Sequence, residues 1–394
     1  MASIVLGLDI GGANLKAATA DKAGGGGRGE PTGGSPHPRA VSVPFPLWKQ
    51  PDKLPAALAE LVAKFPDADE LAVTMTGELC DCFETKRDGV HAIIAAVRFA
   101  SGGRPIHVWS TDGRFLNSEE AKRNHMKVAA ANWHALATFA GHYAPEGRAI
   151  LVDIGSTTTD IIPILDGVPV AVGKTDYDRL FSGELAYTGV RRTPVCAIAP
   201  WFVAAELFAT TLDVYLVLGM VPEDPNDRDT ADGRPATRKY ARARLARMFC
   251  GDADGVPEDA VEAFASSILS NQIVQLQDCL SRVNGHLRVL EAPGRWAVPR
   301  PFHLTEDPPR WSLSNLLSRR LMPLLRGLTG KGAAVRAELV EEGVAHIVSG
   351  AGEFLAQRVI NEPHHISLND ELGPEVSACA PAYAVAVLAA ERRP

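Results

Sequence analysis

Surplus positive charge, a paired-cysteine framework and an unbroken apolar run of membrane length are all missing from this chain. Its 40 Lys and Arg are outnumbered by 47 Asp and Glu, a formal net charge of -7, which excludes nucleic acid as a bulk electrostatic partner. Six cysteines (80, 82, 196, 250, 279 and 379) are scattered over 394 residues, so reduced thiols and a cytoplasmic location are expected. The start, MASIVLGLDIGG, agrees, because it has no basic stretch and Asp9 interrupts its apolar run. Cys80 and Cys82 have no second Cys or His pair at a zinc-site spacing, and His364–His365 has no visible ligand partner, so neither is assigned a metal. Residues 202–220, FVAAELFATTLDVYLVLGM, approach spanning length, but Glu206 and Asp213 lie inside, so a buried helix and no membrane partner are expected.

A repeat is what the chain does have. IVLGLDIGGANLKAA at residues 4–18 is echoed by ILVDIGSTTTDIIPIL at 150–165. In each, an apolar strand ends in Asp-Ile-Gly, a turn of small residues follows, and a second strand begins. Between them come an extended segment at 40–48 with proline at its edge and an apolar helical stripe of Leu54, Leu58, Leu61, Val62 and Phe65. Residues 70–79 read as a strand running into a glycine turn, and a long helix is expected over 117–145, capped by Asn117 with Glu120 three residues on. The second half restarts with strands at 149–154, 160–165 and 168–172, the last two joined by an Asp-Gly turn. The basic stretch 237–249, TRKYARARLARMF, reads as a solvated helix face, and the Gly/Pro-rich loop 21–39 as a flexible insertion. Near the end come a short strand, a glycine turn and a helix start within 344–359, then an alanine-rich final helix.

Three glycine turns at strand ends, Gly11–Gly12, Gly155 and Gly350–Gly352, carry the chemistry. A turn without Cβ atoms lets backbone N–H groups approach a phosphate. Asp9 and Asp153 each precede such a turn, 144 residues apart (153 - 9), and a carboxylate at the mouth of a phosphate loop can hold Mg²⁺ near the phosphate oxygens.

With those turns in order, the chain resembles the actin-like ATPase superfamily of sugar kinases, Hsp70 and actin. LDIGGANLK and VDIGSTTTD match its two phosphate loops, and IVSGAG its nucleotide-side loop. The resemblance implies an α/β fold of duplicated ribonuclease-H-like halves around a central cleft. The first half is placed at 1–146, joined by the C-terminal helix 380–392, and the second at 147–379 with a helical insertion at about 200–345. DIGSTTTDI is most similar to the hydantoinase/oxoprolinase branch. Ala13 departs from the pattern, since relatives carry Thr or Ser there, and full oxoprolinase and hydantoinase chains are far longer, so amide hydrolysis by their partner domains is not expected.

TMTGELCDCFETKRDGV (74–90), WSTDGRF (109–115) and RLFSGELAYTGVRRTPVC (179–196) are similar to stand-alone relatives linked to tetrahydromethanopterin-dependent one-carbon metabolism. Those relatives include a methanofuran-pathway synthase that joins an aminomethylfuran diphosphate to the phenol of a tyramine derivative. The resemblance implies a transferase that alkylates a phenol oxygen and releases diphosphate, acting on small-molecule substrates. The expected roles are Asp9 and Asp153 for metal, Gly11, Gly12, Asn14, Gly155, Ser156, Thr157 and Thr158 for diphosphate, and Lys16 for charge neutralisation. Asp160 or Glu78 is the candidate acceptor of the phenol proton, and Gly350, Gly352 and Glu353 form a substrate or nucleotide-side loop. Plainer readings stand beside these: Lys16 as a solvated hairpin residue, Glu78 as a helix cap, Asp160 as a structural acceptor, and Arg87, Arg191 and Arg192 as surface pairs rather than docks for an acidic substrate. Two other classes share the fold. An ATP-dependent small-molecule kinase or ligase is favoured by the SGAG turn and disfavoured by Ala13, while a non-catalytic nucleotide-binding regulator fits the paired aspartates less well. A homo-oligomer is left open.

Overall fold

The computed structural model describes residues 3–21, 38–199, 202–291 and 343–392. The first sheet contains β1 (Ile4–Ile10), β2 (Asn14–Asp21), β3 (Ala40–Pro44), β4 (Glu70–Met75), β5 (Ile106–Ser110) and β6 (Arg114–Leu116) in the order β3-β2-β1-β4-β5-β6. The second contains β7 (Arg148–Ile154), β8 (Thr159–Leu165), β9 (Val168–Pro169), β10 (Leu185–Ala186), β11 (Val344–Ser349) and β12 (Ile366–Ser367) in the order β10-β8-β7-β11-β12, with β9 also on β8.

The two sheets share one plan. β1 pairs antiparallel with β2 and parallel with β4, and β7 pairs antiparallel with β8 and parallel with β11. The central strands are buried on both faces, as strands covered by helices must be, which explains their near-continuous apolar sequence. Leu6, Leu8 and Ile10 are wholly buried, and each side chain removed from water contributes about 1.5–3 kcal/mol. This is an α/β fold with a duplicated half.

Between the sheets lie two helices, Asn132–Ala140 and Ala380–Glu391. Ala380, Ala384 and Val387 pack with Ala149, Leu151 and Ile162 of the second sheet. Val385, Ala386 and Leu388 pack with Val5 and Ala72 of the first. Alanine at 382, 384, 386 and 389 makes the close approach feasible, since a Cβ on Gly7 of β1 would stand 1.8 Å from the Ala382 carbonyl oxygen.

Several expectations need correction. The long helix over 117–145 is three pieces, Ser118–Arg123, His125–Val128 and Asn132–Ala140. Ala130 takes a left-handed φ of 48° between the last two, so tertiary packing of Trp133 and Leu136 overrides the helix propensity of the alanine run. The cap itself is present: Asn117 Oδ1 accepts from the Glu119 and Glu120 N–H groups, and Glu120 accepts from the Asn117 N–H at 2.9 Å. Residues 202–220 are helical only over Thr211–Val217, and Glu206 is exposed. The basic helix Arg238–Arg247 is no purely solvated face: Arg244 is fully buried, with Asp213 at 2.8 Å and Asp232 at 3.0 Å. The extended segment 40–48 ends at Pro44 and continues as a short 3-10 turn, and the strand over 168–172 is only Val168–Pro169. Most of the 21–39 loop and the insertion beyond residue 291 lie outside the described residues. Among the described residues no helix is long and apolar enough to cross a membrane.

Candidate active site

The two Asp-Ile-Gly turns close in the same way. The Gly11 N–H donates to the Asn14 carbonyl at 3.0 Å, and the Gly155 N–H to the Thr158 carbonyl at 2.9 Å. In the first turn the Gly12 and Ala13 carbonyls accept from the Leu47 and Phe45 N–H groups, both at 2.9 Å, while the Gly12 and Ala13 N–H groups have no acceptor among the described residues. In the second, the Gly155 carbonyl accepts from Val190, and the Ser156 carbonyl from Arg191 and Arg192. The Ser156 and Thr157 N–H groups have no acceptor among the described residues either. Each turn thus has its carbonyls tied back and its donors available, the polarity an anion requires.

Close neighbours leave little room for a side chain here, a side-chain sulfur at Gly12 and backbone at Gly189. A Cβ on Gly12 would lie 2.7 Å from Cys80 Sγ, and one on Gly189 would lie 2.5 Å from the Gly155 oxygen. The third turn sits against the second sheet's central strand: the Gly352 N–H donates to the Ile154 carbonyl at 2.9 Å, and Gly350, at φ 87°, would bring a Cβ to 2.6 Å from Asp153 Oδ1. Gly350 and Gly352 are therefore walls of the Asp153 site. Glu353 turns elsewhere, accepting from Ser367 Oγ at 2.7 Å and the Asn369 N–H at 3.0 Å.

The strand registers place the charged groups. Asp9 faces Lys16 across β1 and β2, and Asp153 faces Asp160 across β7 and β8. Burial pushes the Asp9 carboxyl up, with the Lys16 charge opposing. Burial also pushes Asp153 up to about 7, the Asp160 charge adds to it, Lys16 opposes, and Asp9 adds again. Lys16 and the two aspartates therefore share one electrostatic environment across the two halves. Asp9 Oδ1 is buried and has no hydrogen-bond partner among the described residues.

Asp160 does not stand free. It is ion-paired with Arg179, a buried side chain whose guanidinium carbon lies 4.2 Å from the Trp133 ring centre and which also reaches Asp176 at 3.2 Å. Of the two expected proton acceptors, this leaves Asp160 occupied as a salt-bridge acceptor. Glu78 is the opposite case. It is 1% exposed and in no ion pair within 4 Å among the described residues, and the backbone N–H groups near its carboxylate are its own and that of Ala130. Burial raises it to about 7 against its own backbone N–H, the Lys86 charge and the Ala130 N–H, while the Asp176 charge pushes it up further. It caps no helix: Thr85 caps the helix Lys86–Ala100. Gly77 brings its segment onto the first turn, since a Cβ there would lie 3.2 Å from the Ile10 and Gly11 oxygens.

Sequence reasoning missed Lys86, Asp176 and Arg179, because their neighbours are remote in the chain. Lys86 of the first half approaches Asp176 of the second at 4.0 Å. The segment RLFSGELAYTGVRR, quoted above only for resemblance, was the signal for Arg179. Arg191 is held by Asp227 and Asp229, and Arg192 lies over the Trp48 ring at 5.0 Å. Arg87 is exposed.

Residues 69–392 match the hydantoinase/oxoprolinase family. The chain belongs to that family. This hydantoinase/oxoprolinase-family chain is 30% identical over 397 residues to the (4-{4-(2-(gamma-L-glutamylamino)ethyl)phenoxymethyl}furan-2-yl)methanamine synthase of Methanocaldococcus jannaschii, covering 98% of each. The synthase of the same name from Methanococcus vannielii is 41% identical over 120 residues, 28% of this chain and 54% of that one. Among solved structures, the nucleotide-free acetone carboxylase superposes at a TM-score of 0.47 and 10% identity, over 98% of this chain and 70% of that one. The ROK hexokinase of Thermus thermophilus superposes at 0.36 and 12%, over 96% and 98%.

Proposed function

We propose that this chain is a transferase that joins an aminomethyl-furanylmethyl diphosphate to the phenol oxygen of a γ-glutamylated tyramine, releasing diphosphate. The observation that carries the reading is the end-to-end likeness, 30% identity over 98% of both chains, to a synthase named for that phenoxymethyl-furan product. The free N–H groups of the paired turns support the reading.

In the reaction the carbon–oxygen bond to diphosphate breaks with its electron pair leaving on the diphosphate. A bond forms from the phenol oxygen to the furanylmethyl carbon, where the furan oxygen spreads the developing positive charge. The departing charge is met by the available N–H groups of Gly12, Ala13, Ser156 and Thr157, by the hydroxyls of Ser156, Thr157 and Thr158, and by Lys16. Asn14 acts through its backbone, closing the first turn. Glu78 takes the phenol proton, a task for which a buried carboxylate without an ion-pair partner, pushed up to about 7 by burial, is suited.

A divalent cation such as Mg²⁺ fits the donor set, because Asp9 has a buried oxygen without a partner and Asp153 stands beside a second carboxylate that a cation would offset. Asp9 and Asp153 would hold it, and it would supply neutralisation of diphosphate oxygens. Asp9→Asn and Asp153→Asn are each expected to melt normally, to bind Mg²⁺ more weakly in calorimetry and to lose turnover; near-normal turnover in both would sink the metal assignment.

Release of diphosphate from an aminomethylfuran diphosphate, followed with tyramine, tyrosine and γ-glutamyltyramine as acceptors, tests the reaction directly. Acceptor-dependent release together with the ether product is expected. Tight ATP binding with hydrolysis and no ether would replace this reading with an ATP-dependent kinase or ligase.

A further inference from the structure

Arg192 connects the two phosphate turns. Its N–H donates to the Ser156 carbonyl at 2.9 Å, which fixes its backbone to the second turn. Its guanidinium carbon lies 5.0 Å from the ring centre of Trp48. Trp48 follows Leu47, whose N–H donates to the Gly12 carbonyl of the first turn at 2.9 Å. The Arg192 charge also acts on Cys80, whose Sγ packs against Gly12. One side chain therefore starts on the backbone of one turn and ends beside the other.

Its present partners hold it lightly. Asp229, 3.6 Å away and 63% exposed, is its ion-pair partner among the described residues, and exposed pairs of that kind contribute little. Arg191, the neighbour, is instead committed to Asp227 and Asp229 and to the Asp229 carbonyl. Gly189 explains how this segment lies so near the turn, since any side chain there would meet the Gly155, Ser156 and Thr157 backbone.

We propose that Arg192 is a binding residue for the diphosphate held between the two turns, parked on the Trp48 ring until the ligand arrives. This rests on the reading that the turns hold a diphosphate. A guanidinium presents forked donors that match two phosphate oxygens at once, and a ring face stores a cation without offering it an acceptor.

The test is calorimetry of Mg²⁺-pyrophosphate on the full chain, comparing the parent with Arg192→Ala and Arg192→Lys, each checked by thermal melting. Arg192→Ala is expected to weaken binding by about 10-fold to 100-fold with an unchanged melt, and Arg192→Lys by less. In the unsubstituted chain, pyrophosphate is expected to slow phenylglyoxal modification of Arg192 and to leave exposed Arg87 as reactive as before. Unchanged pyrophosphate affinity in Arg192→Ala, or equal modification of Arg192 with and without pyrophosphate, overturns the proposal. The reaction fails separately: lost pyrophosphate binding in Arg192→Ala by a parent that makes no ether leaves the clamp standing and removes the transferase. An ether-forming enzyme whose KM for the furan diphosphate ignores Arg192→Ala removes the clamp and keeps the transferase.

Discussion

Asp153 and Asp160 face each other across β7 and β8, whereas the corresponding positions of the first sheet hold Asp9 and Lys16. The duplicated hairpin thus carries a like-charged pair in one half and an opposite-charged pair in the other. The like-charged pair persists because Arg179, buried against Trp133, pairs with Asp160. Removing one partner of a buried pair leaves an uncompensated charge, which costs about 3–5 kcal/mol. Arg179→Met is expected to lower the urea midpoint accordingly, and adding Asp160→Asn to recover part of the loss. A midpoint that does not move with Arg179→Met would mean that Asp160 is not held by this ion pair.

Glu78 sets a pH dependence whose sign follows from its raised value. The ordinary carboxyl value is 4.5 and burial takes it to about 7. The protonated form is the one that folding favours, so its contribution is intact below about 4.5 and is lost as pH rises through about 7. The whole span corresponds to roughly 3 kcal/mol. Glu78→Gln is therefore expected to melt later than the parent at pH 8 and alongside it at pH 4.5, in melts recorded across that range. Turnover moves the other way, because the base must be ionised: ether formation by the parent should rise through pH about 7, and Glu78→Gln should lose that rise. An identical pH–rate profile in the two proteins would remove Glu78 as the base.

Two glycines give opposite expectations. A methyl at Gly189 would meet backbone atoms of the second turn at 2.5–2.6 Å, and backbone has nowhere to go without moving the donors of Ser156 and Thr157. Gly189→Ala should weaken Mg²⁺-pyrophosphate binding by calorimetry. Gly285 lies exposed inside the helix Glu258–Glu291 with nothing within 4 Å of a new methyl. Gly285→Ala should leave pyrophosphate binding alone and stabilise the chain by about 0.5–1 kcal/mol. Equal ligand affinity in both variants would detach the segment at Gly189 from the phosphate turn.

The parts of this site that were legible in sequence are those set by local geometry. Asp9 and Asp153 are readable because each ends an apolar strand just before a glycine turn, and the two turns close on the same Gly N–H to carbonyl bond. Pairings between distant segments leave no such trace. Lys86 and Asp176 meet only because the two halves do, and Asp160 finds Arg179 through the helix Asp176–Ser182, not through its own strand. The charge run also misled about Arg244, since a basic stretch looks solvated until Asp213 and Asp232 are brought against it. Ala130 misled in the other direction, because alanine favours helix locally and only packing against the sheets demands the break.

Gly7 tests whether the helix Ala380–Glu391 works as a wedge between the halves. That helix contributes Ala384 and Val387 to one sheet's core and Val385 and Ala386 to the other's, so its depth in the seam is expected to bear on how near the two Asp-Ile-Gly turns stand. A Cβ on Gly7 would be 1.8 Å from the Ala382 oxygen and 3.0 Å from the Ala386 Cβ. The helix must then move outward, and overpacking of this kind costs about 1–3 kcal/mol. Because the Asp9 turn lies at the end of the same strand, Gly7→Ala should also weaken pyrophosphate binding, although residue 7 touches no ligand. A lower urea midpoint with full pyrophosphate affinity would mean that the helix supports the fold without setting the spacing of the turns.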